Sequence, residues 1–186
     1  MRNGAVAVPG GTLDPVVTVY VRDFCANNPI GAAVGTTSRV YLAGKLVGAW
    51  YVPGRLFSVN DATARIVPGL FARNERVILE LEGARGPFVL VLVGALFVGS
   101  MATVWHGDVL PRRARRIVAL PVEPSAPPLE RGAELGRFNM GSTVIVLLPP
   151  GAGRWDPAMA AARTLRLGER VGVLGATAPA APIGRR

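Results

Sequence analysis

FVLVLVGALFVGSMATVW, Phe88 to Trp105, is the stretch on which the fold turns. It carries no formal charge, and its length sits near the roughly 18-residue threshold at which an apolar run can span a bilayer as a helix. Its composition points elsewhere. Valine recurs through it, and Gly94, Gly99 and Ser100 interrupt it, so it reads as two buried strands, Phe88 to Val93 and Phe97 to Trp105, bent at the glycines. Outward from it, strand-like runs recur at Val16 to Arg22, Val40 to Val52, Arg76 to Glu82, Arg116 to Leu120, Thr143 to Leu148 and Arg170 to Leu174, with Pro or Gly between most of them. The fold class expected is mainly β, a β-rich α+β chain: a compact sandwich or partly closed barrel of short strands with little helix. The best helical candidate is Pro157 to Leu165, with Asp156 as N-cap and Pro157 at the first helical position, and it is short enough to be a loop instead.

The 186 residues suit one domain large enough to bury its own core. Hydrophobic residues make up 50% and charged ones 18%, which excludes a disordered chain. Gly 23 and Pro 16 favour many short strands joined by turns. The net charge of +9 is carried almost wholly by arginine, since Lys45 is the only lysine. Such a surface attracts nucleic acid or an anionic membrane leaflet alike, and the absence of RNA-binding aromatic motifs and zinc-finger spacings argues against a nucleic-acid partner. Cys25 stands alone, so there is no internal disulfide and no multi-cysteine metal site. His106 is the single histidine, with no carboxylate at metal-ligand spacing, and no metal is expected. Met1 to Gly11 lacks the apolar core of a signal peptide. Val122 to Pro128, with three prolines, reads as a stiff exposed connector, and Ala176 to Arg186 as a frayed tail. There is no internal repeat.

The chemistry-bearing motif is Gly141-Ser142-Thr143 within ELGRFNMGSTVIVLL, Glu134 to Leu148. Taken alone it is a glycine turn feeding a strand. A serine behind a glycine is also suited to self-cleavage. The glycine has no Cβ to shield its carbonyl from the serine hydroxyl, so an N-to-O acyl shift can replace the amide by an ester.

Four further segments decide between these readings: YVPGRLFSVN (Tyr51 to Asn60), VPGLFARNERV (Val67 to Val77), VGALFVGSMATVW (Val93 to Trp105) and LERGAELGRFNMGSTVI (Leu129 to Ile145). In this order and spacing, from about Leu42 to about Leu174, the chain resembles phosphatidylserine decarboxylase, a pyruvoyl-dependent proenzyme. The resemblance implies cleavage between residues 141 and 142 and conversion of Ser142 to a pyruvoyl group. This cofactor is made from the chain itself, with no metal or separate cofactor. It would form a Schiff base with phosphatidylserine, act as the electron sink when CO2 leaves, and yield phosphatidylethanolamine. Implied with it are the anionic membrane surface as a partner at the cytoplasmic face of the inner membrane, the cleaved large and small chains as each other's partners, and a homodimer.

The resemblance also assigns roles elsewhere. Ser58 in GRLFSVN falls where the family is expected to contact substrate, and its alternative is a hydroxyl bonded to backbone. Phe57 and Phe71 would wall an apolar groove or belong to the core. Arg73 and Arg76 would hold a phosphate or buttress Glu75. Arg112, Arg113, Arg115 and Arg116 form a positive patch that would face the membrane or lie in a solvated loop. The chain departs from the family before Leu42. The family's HxxHMP-like histidine stretch is replaced by Thr36 and Arg39 in one register, or Cys25 and Asn28 in another, and its aspartate is not found. His106 reads as a loop histidine rather than a replacement base. Residues 1–41 are therefore taken as a divergent or truncated N-terminal segment and 42–186 as the catalytic β-rich domain. A catalytically inactive, lipid-surface-binding β-domain is the alternative function.

Overall fold

The computed structural model describes residues 17–19, 36–38, 44–59, 61–83, 86–96, 101–109, 116–130, 133–138, 143–149, 151–159 and 172–174. Its centre is a pair of strands, the first alternating in burial and the second buried on both faces over its last four residues. In β4 (Arg76–Gly83), Val77, Leu79 and Leu81 are buried while Ile78 and Glu80 are half-buried and Glu82 is exposed. β5 (Gly86–Val93) buries Phe88, Leu90 and Leu92 on the same face, because residues two apart share one side of a sheet. The hairpin between them closes at the Gly83–Gly86 pair, where Gly86 has φ 112. That is a conformation glycine adopts without steric penalty.

Around this pair lies a six-stranded antiparallel sheet, ordered β1-β10-β5-β4-β3-β8, with β1 (Val17–Val19), β3 (Lys45–Val52), β8 (Val118–Ala119) and β10 (Thr143–Leu147). A four-stranded antiparallel sheet, β2-β9-β6-β7, is formed by β2 (Thr36–Ser38), β6 (Met101–Thr103), β7 (Gly107–Val109) and β9 (Gly136–Phe138). One core joins them: Leu79, Leu81, Leu90 and Leu92 of the first sheet pack in the same cluster as Met101, Val109 and Phe138 of the second. β11 (Gly153–Trp155) and β12 (Gly172–Leu174) make a separate two-stranded ribbon. The expected β-rich sandwich is the fold observed, and the described strands close no barrel.

Three local expectations are corrected. The Phe97 to Trp105 strand does not reach Trp105: residues 97–100 lie outside those described, Met101–Thr103 is β6, and residues 104–106 turn back through Gly107, at φ 62, into β7. Two short helices interrupt the β3–β4 connection, α1 (Asp61–Ile66) and α2 (Leu70–Arg73), where no helix was expected. The Pro157 to Leu165 helix begins instead as a turn. The Asp156 carboxylate accepts from the Ala158 N–H at 3.2 Å and its carbonyl from the Met159 N–H at 2.8 Å, and residues 160–165 lie outside those described. No helix among the described residues is long and apolar enough to cross a membrane.

Candidate functional site

The strand register gathers distant segments at one end of the large sheet. Val52 pairs with Arg76, Arg76 with Val93, and Val93 with Thr143, so the end of β3, the start of β4, the end of β5 and the start of β10 stand in one row. Thr143 is buried there, and one peptide bond joins it to residue 142. Gly141 and Ser142 themselves lie outside the described residues.

Asn74 organises this end. It is wholly buried, and its side chain makes three bonds to backbone: Oδ1 accepts the Phe57 N–H at 3.0 Å, and Nδ2 donates to the carbonyls of Phe57 and Gly94, both at 2.9 Å. One amide thereby ties the 53–59 loop to the end of β5. The loop is also held by a parallel bridge between Arg55 and Asn74: the Arg55 N–H donates to the Arg73 carbonyl and the Glu75 N–H to the Arg55 carbonyl, each at 2.8 Å. Backbones come this close because residue 54 is glycine. A Cβ there would lie 2.5 Å from the Asn74 carbonyl carbon and the Glu75 nitrogen.

Next to Asn74 sits a buried carboxylate. Glu75 is 3% exposed and its Oε2 accepts the Tyr51 hydroxyl at 2.8 Å, while Oε1 has no hydrogen-bond partner among the described residues. Burial pushes its pKa above the ordinary carboxylate value, partly offset by the Tyr51 bond, because taking the charged form out of water costs more than the neutral form. An acceptor left without a donor in a buried site is a place for an incoming polar group.

The sequence-selected residues divide as follows. Phe57 and Ser58 are brought to this end, both half-buried, and Phe57 lies outside the main core cluster. The Arg73 guanidinium stacks over the Phe57 ring, 4.9 Å from its centroid, a favourable cation–π distance. Arg76 does not pair with Glu75 in the described contacts. Its guanidinium donates to the Ala72 and Asn74 carbonyls at 2.7 and 2.9 Å, bracing the α2–β4 corner, and partial burial lowers its pKa. Arg116 is exposed at the start of the β8 segment; Arg112, Arg113 and Arg115 lie outside the described residues.

His106 is the loop histidine expected. Its Nε2 lies 2.7 Å from the Pro121 carbonyl, which can only accept, so that nitrogen carries the proton and Nδ1 accepts the Thr103 hydroxyl at 2.8 Å. Both ring nitrogens are occupied away from the Thr143 row. Sequence reasoning missed Asn74 and the Tyr51–Glu75 pair. Their signal was present in FARNERV, where adjacent polar residues sit between an apolar helix turn and a buried strand.

Comparison with known proteins bears on this end of the molecule. Residues 37–173 match the family model described as phosphatidylserine decarboxylase. The chain is 56% identical over 126 residues to the phosphatidylserine decarboxylase proenzyme of Methylibium petroleiphilum, covering 68% of this chain and 44% of that protein. It is 50% identical over 131 residues to the proenzyme of Methylococcus capsulatus, 70% of this chain and 46% of that protein. The proenzyme of Azoarcus sp. (strain BH72) is 50% identical over 139 residues, 75% and 48% of the two chains. The chain thus spans about half the length of the curated relatives it matches.

Proposed function

Because the chain belongs to the phosphatidylserine decarboxylase family, we propose that it is the self-processing, catalytic portion of a decarboxylase that converts phosphatidylserine to phosphatidylethanolamine. The observation that supports this reading is the row Val52–Arg76–Val93–Thr143, which puts Thr143, the sequence neighbour of Ser142, at the same sheet end as the Asn74-clamped Phe57–Ser58 loop. Cleavage between Gly141 and Ser142 runs through the ester: elimination releases the larger chain as a carboxylate, and Ser142, losing its nitrogen as ammonia when water adds, becomes the pyruvoyl group that blocks the new end of the smaller chain. The chemistry such a group supplies is withdrawal of the electron pair from the carbon that loses CO2.

The residues present fit it. Glu75 Oε1, without a hydrogen-bond partner among the described residues, lies at this sheet end, Thr143 is fixed by β10, and this reading gives the lipid headgroup and glycerol region to the half-buried Ser58 and Phe57. Ser58 offers a hydroxyl to the headgroup and Phe57 an apolar wall. The arginine run 112–116 is assigned to an anionic membrane surface, with peripheral attachment at the cytoplasmic face of the inner membrane and the protein acting as a homodimer. Residues 1–41 are assigned as the divergent segment and 42–186 as the catalytic domain.

Denaturing mass spectrometry of purified chain tests the proposal. Two fragments meeting at the 141–142 bond, the smaller with a blocked amino end, are expected, and S142A is expected as one intact species of 19.5 kDa. An intact wild-type chain, unable to release CO2 from phosphatidylserine, overturns it.

A further inference from the structure

Glu75 is a buried polar group that the fold alone does not explain. It is 3% exposed, one oxygen accepts the Tyr51 hydroxyl at 2.8 Å, and the other has no partner among the described residues. An acceptor so placed destabilises a fold, and an apolar residue of similar shape would spare that cost. The arginines around it do not pair with it in the described contacts. Arg73 stacks over Phe57, Arg76 donates to the Ala72 and Asn74 carbonyls, and Arg55 is exposed, while β5 and β10 contribute no charged side chain.

Strand alternation fixes the face on which this carboxyl lies. Val77, Leu79 and Leu81 face the core, Tyr51 opposes Val77, and the Tyr51 hydroxyl reaches back to Glu75, so residue 75 continues that face. The Glu75 carbonyl accepts the Gly94 N–H at 2.7 Å, which carries the β4–β5 pairing one step past Arg76 and Val93. Gly94 has no side chain to stand between Glu75 and the strand on the far side of β5. That strand is β10, whose Thr143 pairs with Val93 and is joined through its own amide to Ser142 and Gly141. Two strand spacings, about 10 Å, separate the β4 and β10 backbones, a gap that a glutamate side chain bridges directly or through one water.

Burial decides what can use this carboxyl. A group 3% exposed is closed to a lipid arriving from outside, whereas the chain's own peptide bond is already within the fold. We infer that Glu75, held by Tyr51, is the group that carries the serine proton during self-processing at the 141–142 bond. Its carboxylate takes the proton from the Ser142 hydroxyl as that oxygen bonds to the Gly141 carbonyl carbon. The same proton passes to the Ser142 nitrogen as the C–N bond breaks, leaving the ester. No proton is gained or lost overall, and no co-reactant is needed. Burial favours the role because it raises the proton affinity of the carboxylate and strengthens its hydrogen bonds. The role rests on the cleavage proposed above.

Cell-free synthesis of the full chain, sampled over time by denaturing mass spectrometry across a series of pH values, reads cleavage without any substrate. Wild-type cleavage is expected to speed up along an acid limb and then level off as Glu75 loses its proton. E75Q, which keeps an acceptor for Tyr51, is expected to cleave at least about a hundredfold more slowly and without that limb. Y51F keeps the carboxylate but removes the bond that favours its charged form, so its limb is expected to move to higher pH. E82Q, at the exposed far end of β4, is expected to cleave as wild type does. Cleavage of E75Q at the wild-type rate, an equal slowing by E82Q, or a Y51F limb that stays in place overturns the role, and Y51F decides if E75Q does not fold. A wild-type chain that stays intact overturns the role together with the cleavage. A cleaved wild type whose rate is indifferent to Glu75 overturns the role alone.

Discussion

Replacing Asn74 by alanine tests the clamp at the site most directly. The substitution removes three hydrogen bonds, two to Phe57 and one to Gly94, from a side chain that is 0% exposed. The Gly94 bond is fully buried, so losing its donor strands a carbonyl at a cost of about 1–3 kcal/mol. The two Phe57 bonds are half-buried and water replaces part of them, so each contributes about 0.5–1.5 kcal/mol. Together the loss is about 2–6 kcal/mol, a large share of the ~5–15 kcal/mol that holds a typical domain. Urea unfolding followed by tryptophan fluorescence would show the midpoint falling by roughly 1–3 M for a slope of about 2 kcal/mol/M. N74D retains the acceptor for the Phe57 N–H but turns a carboxylate oxygen towards two carbonyls, and is expected to be no more stable than N74A. An N74A protein within about 0.5 kcal/mol of wild type, or an N74D protein as stable as wild type, refutes the clamp.

Glu75 predicts a pH dependence. Because its native pKa is raised, the folded state holds the proton more tightly than the unfolded one. Its stabilising contribution is complete below the ordinary carboxylate pKa and is lost as pH rises towards the native value. E75Q, neutral throughout, is expected to gain stability relative to wild type as pH rises across that window; parallel stability profiles would contradict this. G54A forces a Cβ against the backbone of residues 73–75 and is expected to cost about 1–3 kcal/mol or more, measured as a lowered unfolding temperature. At Gly69, with φ 63 and open space around it, alanine is expected to cost only about 1 kcal/mol, from backbone conformation alone. H106A removes the bonds to Pro121 and Thr103 and is expected to lose about 1–2 kcal/mol of stability while leaving the yield of cleaved chains unchanged. A block in cleavage would show that this imidazole serves as a base.

What was legible in the sequence follows from period. β4 and β5 are eight residues each; β4 alternates in burial and β5 is a continuous apolar run buried on both faces at its end, and both patterns are visible without a structure. β7 and β9 are three residues long and begin with glycine, too short to show a period, and both were missed. α2 is a four-residue turn, and α1, DATARI, has no apolar stripe. At the site, the glycine–serine junction and the Phe57–Ser58 segment were readable as motifs. The Asn74 clamp reaches across 17 residues and the Tyr51–Glu75 bond across 24, and no local pattern encodes a contact made only after strands β3 and β4 have paired. The histidine could be read as structural because it follows Trp105 in a segment distinct from the family's histidine stretch. Its actual partners, a hydroxyl three residues away and a carbonyl fifteen away, emerge only from the fold.

The place of β10 has a mechanical consequence. It lies between β5 and β1, paired to β5 over its whole length from Thr143↔Val93 to Leu147↔Val89, with Val144 buried in the shared core. A backbone break just ahead of Thr143 therefore severs one covalent link and no rung of that ladder. The sheet can be nicked at its most sensitive margin and still keep both pieces seated, as a zip fastener stays shut when the tape beyond its last tooth is cut.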